Sequence, residues 1–147
     1  MTPPADHVRA NDESRARLRA LAERLDRRQL ATSVMEGWSV SALLAHLAFW
    51  DRFTLRRWQS RLAGKVVPDI GPLADALNDA AIPMWSALPP EVATREATAA
   101  ADAVDRFVAA LAPDVIAEAI AEGRPRWVAR SEHRQEHLEQ IERALAR

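Results

Sequence analysis

A chain of 147 residues with 48% hydrophobic residues has the size and composition of one ordinary globular domain, expected over residues 1–147. Its net charge of −1 gives no electrostatic support for nucleic acid or an anionic membrane, and we expect neither partner. The chain has no cysteine, which excludes disulfides, thiolate ligands and a cysteine nucleophile. Residues 1–6 lack signal-peptide character, and no apolar run would span a bilayer. We therefore expect a cytoplasmic protein.

The first two predicted elements are long amphipathic helices. Apolar residues at helical spacing predict a first helix that ends at Leu30, with Asn11 or Asp12 as its N-cap. Ser39 has the hydroxyl of an N-cap, and the wide apolar face that follows it predicts a second helix to about Ala63. A connection rich in glycine and proline comes next and separates this half of the chain from the rest.

The second half of the chain is also predicted to be helical. Residues 73–88 look helical but contain Pro83, which indicates either two short helices or one kinked helix. A pair of prolines then opens a long helix over residues 91–111, because proline is well tolerated in a first turn. Residues 114–122 predict a short helix. A last helix begins within residues 126–131 and ends near residue 146.

These elements define the expected fold class. No segment alternates apolar and polar residues in the way that predicts a half-buried strand, so we expect no sheet. Four main helices that each have one apolar side are typical of an all-α four-helix bundle. In such a bundle, side chains on facing helices can build a metal or ligand site in the core.

Three of the four histidines lie where they could bind one metal ion. His133 and His137 are four residues apart, so their rings leave the same face of the last helix. His46 lies on the inward edge of the second helix. Neutral imidazole is the commonest protein ligand for a divalent transition metal. The pattern predicts a three-histidine site with open coordination positions, although histidines at a helix–core boundary are more often simply packed there.

A second motif overlaps the same residues. His133 and His137 with Glu136 between them also read H-x-x-E-H, the inverted zinc-peptidase signature, in which the glutamate activates water. Only ten residues follow His137, which leaves little chain for a third ligand downstream. The motif stays open as a less favoured alternative.

Four neighbouring residues are candidates for substrate binding. Trp50 and Phe53 share the His46 face and could form an apolar wall beside the ion, or be ordinary core aromatics. Arg57 could bind a substrate carboxylate, or extend to solvent along an apolar surface. Gln140, one turn after the histidine pair, could hydrogen-bond a ligand or a bound water.

Two stretches of the chain resemble a known superfamily. The sequence Gly37-Trp38-Ser39-Val40, followed by Leu44-Ala45-His46-Leu47-Ala48-Phe49-Trp50-Asp51, resembles the second helix of DinB/YfiT-like proteins. The sequence Glu132-His133-Arg134-Gln135-Glu136-His137-Leu138-Glu139-Gln140-Ile141 resembles their last-helix pattern. Within this superfamily, the chain resembles the branch that includes the DfsB/ClbS-like bundles and the N-terminal domain of mycothiol-dependent maleylpyruvate isomerase.

This resemblance implies a fold, a metal and a class of reaction. It implies an up-down-down-up four-helix bundle, a homodimer, and a nickel or zinc ion on His46, His133 and His137. It also implies transfer or isomerisation of a small reactive molecule with a low-molecular-weight thiol such as mycothiol or bacillithiol. Two alternatives stay open: a non-catalytic or vestigial metal-binding protein of stress response or self-protection, and a small-molecule hydrolase of the ClbS-like type. The catalytic residues stay unassigned.

Overall fold

The computed structural model describes residues 5–147; part of the N-terminal segment judged above for signal-peptide character lies outside these residues. Within them the fold is all-α, as the periodicity predicts. Seven α-helices follow one another along this part of the chain: α1 (Asp6–Arg24), α2 (Arg27–Leu30), α3 (Val40–Leu62), α4 (Ala74–Ala87), α5 (Pro90–Ala109), α6 (Pro113–Ala121) and α7 (Ser131–Leu145). Single 3-10 turns at Gly71–Leu73 and Pro125–Trp127 precede α4 and α7.

The prediction for the start of the first helix is wrong. α1 begins at Asp6, and Asn11 lies inside it, buried. The Asn11 carboxamide donates to the carbonyl of Val128 at 3.0 Å and accepts from the backbone N–H groups of Arg130 and Ser131 at 2.9 and 3.1 Å. Asn11 therefore satisfies free N–H groups at the start of a helix, as an N-cap residue would. The helix is α7, however, and not α1, in which Asn11 lies.

The prediction that one helix runs to Leu30 is also wrong. The chain leaves the helical conformation at Leu25, and Asp26 starts the short α2. The Asp26 side chain accepts from the Gln29 N–H at 2.8 Å, while the Gln29 side chain accepts from the Asp26 N–H at 3.0 Å. This capping box stabilises a new helix start, because it satisfies two N–H groups that a continuous helix would have paired internally.

The structure contains a small two-stranded sheet, so the prediction that the chain has no sheet is wrong. Strands β1 (Ser33–Met35) and β2 (Trp38–Ser39) pair antiparallel across a turn in which Gly37 has a φ of 81°. Strands of three and two residues are too short for an alternating pattern to be recognised. The hairpin leads directly into α3 and places Trp38 at the entrance of that helix.

The remaining helix predictions agree with the structure. Ser39 is the N-cap of α3, and its hydroxyl accepts from the Ala42 N–H at 3.0 Å. Pro83 lies inside the single helix α4, which settles the choice between one helix and two. Proline opens both α5 and α6, at Pro90 and Pro113.

The largest part of the core lies between four of the helices. α3 packs along α5, α1 packs against α5 and α7, and α3 also contacts α7 and α4. The largest apolar cluster draws on α1, α3, α5 and α7, with Leu18, Leu43, Leu47, Leu138 and Ile141 almost fully buried. This packing brings the middle of α3 beside the first half of α7. Among residues 5–147, none of the helices has both the length and the hydropathy of a membrane-spanning segment.

Candidate metal centre

Three histidine rings meet between α3 and α7. The Nε2 atom of His46 lies 3.0 Å from Nε2 of His133 and 3.2 Å from Nε2 of His137. Each ring offers one nitrogen to a common point, so the three side chains could hold a metal ion. α3 supplies the first ligand atom, and one face of α7 supplies the other two, as their four-residue spacing predicts.

The donor set fits a divalent ion. Ligand nitrogens at about 2.0–2.1 Å from a zinc ion, in a tetrahedral arrangement, lie about 3.3 Å from one another, close to the 3.0 and 3.2 Å that separate His46 Nε2 from the other two. A neutral imidazole carries one N–H and one lone pair, and three such rings cannot all satisfy one another across distances this short. A central cation would accept all three lone pairs at once. Among residues 5–147 no carboxylate or fourth histidine joins this group.

Burial keeps the three rings neutral. His46 is 5% exposed, and burial is the main effect that lowers its pKa to about 3, with the neighbouring His137 as the next. Burial also lowers the pKa of His133, which lies beside the Arg130 guanidinium, and that of His137. Neutral rings keep the lone pairs that a metal ion needs, so the cluster is ready to coordinate at neutral pH.

The far side of each ring has a different environment. His137 Nδ1 lies 2.7 Å from Gln140 Oε1, which can only accept, so Nδ1 carries the proton and Nε2 keeps its lone pair. Trp38 and Trp85 pack edge-on against the His46 ring, with centroids 5.2 and 5.3 Å away. His133 Nδ1 lies 3.5 Å from Nη2 of Arg130.

A buried ion network lies directly behind the histidines. Arg134 is fully buried and contacts Asp51 Oδ2 at 3.2 Å and Asp105 Oδ1 at 2.6 Å. Arg130 donates from Nε to Asp51 Oδ1 at 2.8 Å and from Nη1 to the carbonyl of Arg126 at 3.0 Å. The network joins α3, α5 and α7 at the level of the metal centre.

Sequence reasoning missed this network, although a signal was present. At 100° per residue, Asp51 lies within about 40° of Leu47 on α3, and Arg134 lies within about 40° of Leu138 on α7. Two opposite charges on inward helix faces indicate a buried pair, since an isolated buried charge is costly.

The histidines open into a cavity of about 560 Å³. Of the predicted substrate residues, Trp50, Arg57 and Gln140 line it together with the three histidines, whereas Phe53 is not among the lining residues. Exposed and half-buried residues of the loop before α4 and of the first turns of that helix complete one wall of the cavity. Glu136, the glutamate of the peptidase-like motif, is exposed at its rim.

Arg57 is a half-buried cation at the side of this cavity. Its guanidinium carbon lies 4.4 Å from the Phe53 ring centroid and 5.4 Å from that of Trp127. Burial lowers the pKa of Arg57, and the positive charge of Arg130 lowers it further. Its Nε is buried and has no hydrogen-bond partner among the described residues. The position therefore provides an unused donor beside the histidines.

Comparison with known proteins identifies one family. A family model described as the mycothiol maleylpyruvate isomerase N-terminal domain matches residues 12–144, a span that includes all three histidines. No curated protein and no solved structure matches the chain.

Proposed function

This chain belongs to the mycothiol maleylpyruvate isomerase N-terminal domain family, within the DinB/YfiT-like helical superfamily, and from that membership we propose that it is a metal-dependent enzyme. We propose that it uses a low-molecular-weight thiol, such as mycothiol or bacillithiol, to transfer or isomerise a small reactive molecule. The observation that carries the proposal is the convergence of three neutral imidazoles, with Nε2 spacings of 3.0 and 3.2 Å, at an open cavity.

His46, His133 and His137 would hold the ion, with nickel and zinc as the proposed metals. When bound there, the ion would supply a Lewis acid that lowers the pKa of a coordinated thiol or water. The thiol must come from outside, because the chain has no cysteine. A cavity of about 560 Å³ has the size of a small-molecule site, which supports a bound thiol or substrate beside the histidines.

The residues around the ion would position the reactants. Arg57 could bind an anionic group of substrate or thiol cofactor, since its guanidinium has no carboxylate within 4.0 Å among the described residues and its Nε lacks a partner. Trp50 would form an apolar wall of the cavity. Phe53 would act indirectly, by packing under the Arg57 guanidinium. Gln140 would hold the proton of His137 Nδ1 and so orient that ligand.

A purely structural metal site is the competing function. Structural zinc is usually held by four protein ligands, whereas the group found among residues 5–147 has three and borders a cavity. This arrangement favours an enzyme. The hydrolase alternative would use the same ion with water in place of the thiol, so the thiol experiment below separates the two.

Three further properties belong to the proposal. Family membership supports a four-helix bundle of up-down-down-up order, whose members would be α1, α3, α5 and α7. A homodimer is consistent with the apolar residues that α4 and the turn before it expose, notably Leu73, Leu77 and Met84. We retain the cytoplasm as the proposed location.

Elemental analysis of protein purified without a histidine tag tests the metal. We expect wild-type protein to retain nickel, zinc or another divalent metal, and a His137→Ala variant to retain much less. Equal metal content in the two proteins would contradict the proposed site.

Thiol binding tests the reaction class. Titration of mycothiol into cobalt-substituted protein should change the visible absorption of the metal, because a thiolate ligand alters its spectrum. A matched thiol-methylated mycothiol should leave the spectrum unchanged. No spectral change with the free thiol would contradict the thiol role and favour the hydrolase.

A further inference from the structure

The outer nitrogen of His46 lacks the partner that a metal ligand needs. His46 is buried, and its Nδ1 has no hydrogen-bond partner among the described residues. A histidine that coordinates through Nε2 carries its proton on Nδ1, and an acceptor for that proton fixes the ring and raises its basicity. Gln140 does this for His137. His46 would need such an acceptor from a neighbouring element.

Asn78 of α4 is the group whose chemistry fits. Its Oδ1 accepts from Trp50 Nε1 at 2.8 Å, and an indole N–H can only donate, so this contact determines which way the carboxamide faces. A carbonyl oxygen has two lone pairs, so Oδ1 can accept a second hydrogen bond. Asn78 lines the same cavity as His46, and its hydrogen-bond partner Trp50 lies one turn after His46 on α3, with its ring centroid 6.5 Å from that of His46.

We propose that Asn78 is a positioning residue for the metal centre: through a small adjustment of the two side chains, its Oδ1, which accepts from Trp50 Nε1, also accepts from the unpartnered His46 Nδ1 and so directs the His46 Nε2 lone pair toward the ion. Trp50 holds the amide in place, and Trp85 of the same helix packs against the His46 ring. α4 thereby becomes part of the metal centre, although its only buried side chain is Trp85. The proposal rests on the proposed function in that it takes His46 to be a metal ligand.

Two substitutions separate the acceptor from the donor of the carboxamide. Asn78→Ala removes both, whereas Asn78→Asp keeps an acceptor for Trp50 and His46 and loses the amide donor. Asp79→Ala, on an exposed position of the same helix, is the matched control. Zinc affinity is measured by competition with a chelator, and thermal unfolding shows that each variant is folded.

We expect Asn78→Ala to lower zinc affinity by about 10- to 100-fold, the usual cost of losing an outer partner of a ligand. Asn78→Asp should bind zinc at least as tightly as wild type, and Asp79→Ala should bind as wild type does. Wild-type affinity in Asn78→Ala would overturn the proposal. A loss in Asn78→Asp as large as that in Asn78→Ala would overturn it too, because Asn78 would then act as donor.

The tautomer of His46 in the metal-free protein gives an independent test. Long-range ¹H–¹⁵N correlation, with the His46 signal assigned from a His46→Gln variant, should show the proton on Nδ1 in wild type and a mixture in Asn78→Ala. An unchanged tautomer would overturn the role of Asn78. If wild-type protein binds no zinc, the proposed function fails, and the tautomer measurement still decides whether Asn78 orients the ring.

Discussion

Two polar clusters lie next to each other between α3 and α7, one of them extending to α5, and they differ in whether the protein satisfies their hydrogen-bonding groups. In the ion network, Arg134 is held by Asp51 and Asp105 at hydrogen-bond distance. In the metal centre, His46, His133 and His137 present nitrogens to one another at 3.0 and 3.2 Å. Both clusters contain groups taken out of water, yet only the first is complete within the chain.

The difference indicates a structural role for the ion network and supports the proposed metal-binding role of the histidine cluster. The ion network has opposite charges and many hydrogen bonds, so nothing further has to bind there. The histidine cluster has three neutral rings, one unpartnered Nδ1 on His46 and an adjoining cavity. An external cation could accept its unsatisfied lone pairs.

The largest expected effect is on stability, from the ion network. Arg134→Ala leaves the buried Asp51 without its central partner and weakens the pairing of Asp105, so the free energy of unfolding should fall by about 3–5 kcal/mol. Urea denaturation of the metal-free protein measures this free energy. Arg143→Ala, at an exposed position of α7, is the control and should change little. If Arg134→Ala loses no more free energy of unfolding than the control does, the ion network does not stabilise the fold, and the contrast with the histidine cluster is wrong.

The next effect is on metal binding, from the histidine cluster. His46→Ala removes one of three ligands and should weaken zinc binding by about 100-fold or more, while the protein stays folded because the site borders a cavity. Chelator competition measures the affinity, and circular dichroism checks the fold. His7→Ala, the histidine outside the cluster, should bind zinc normally. Unchanged retention in His46→Ala would exclude His46 as a ligand.

The third prediction concerns pH in the metal-free protein. Because the folded-state pKa of His46 is lowered to about 3, the unfolded chain binds more protons between about pH 6.5 and pH 3. Stability should therefore fall as the pH decreases from 7 to 5, by about 2 kcal/mol from His46 alone. Urea denaturation at several pH values between 5 and 7 measures how steeply the free energy of unfolding changes with pH. This slope should be smaller in His46→Gln. An equal slope in both proteins would mean that His46 is not held neutral by the fold.

The smallest expected effect is from the partner of His137. Gln140→Leu removes the acceptor for the Nδ1 proton and should weaken zinc binding by about 10-fold, near 1.4 kcal/mol. Gln140→Glu keeps an acceptor and should preserve the affinity. If both variants bind zinc as wild type does, the hydrogen bond at 2.7 Å contributes nothing to the site.

Local sequence patterns were sufficient to predict those features of the fold and the site that depend on residues close to one another in the chain. The N-cap at Ser39, the helix after paired prolines and the His133–His137 pair each depend on residues within four positions of one another. Helical phase also placed His46 on an inward edge, where the structure has it. The same kind of local signal, the Asp26 capping box, was present and was missed.

The amino-acid sequence by itself therefore determined the all-α class and the three candidate ligands, because periodicity and capping chemistry act over one or two turns. Only the tertiary structure decided that Asn11 binds the N–H of Arg130 before α7, that Arg134 pairs with two aspartates, and that Asn78 binds Trp50 at the cavity of the histidines. These contacts join residues 28 to 119 positions apart. Such distances are set by how helices pack, and helix packing depends on the shape of the whole core.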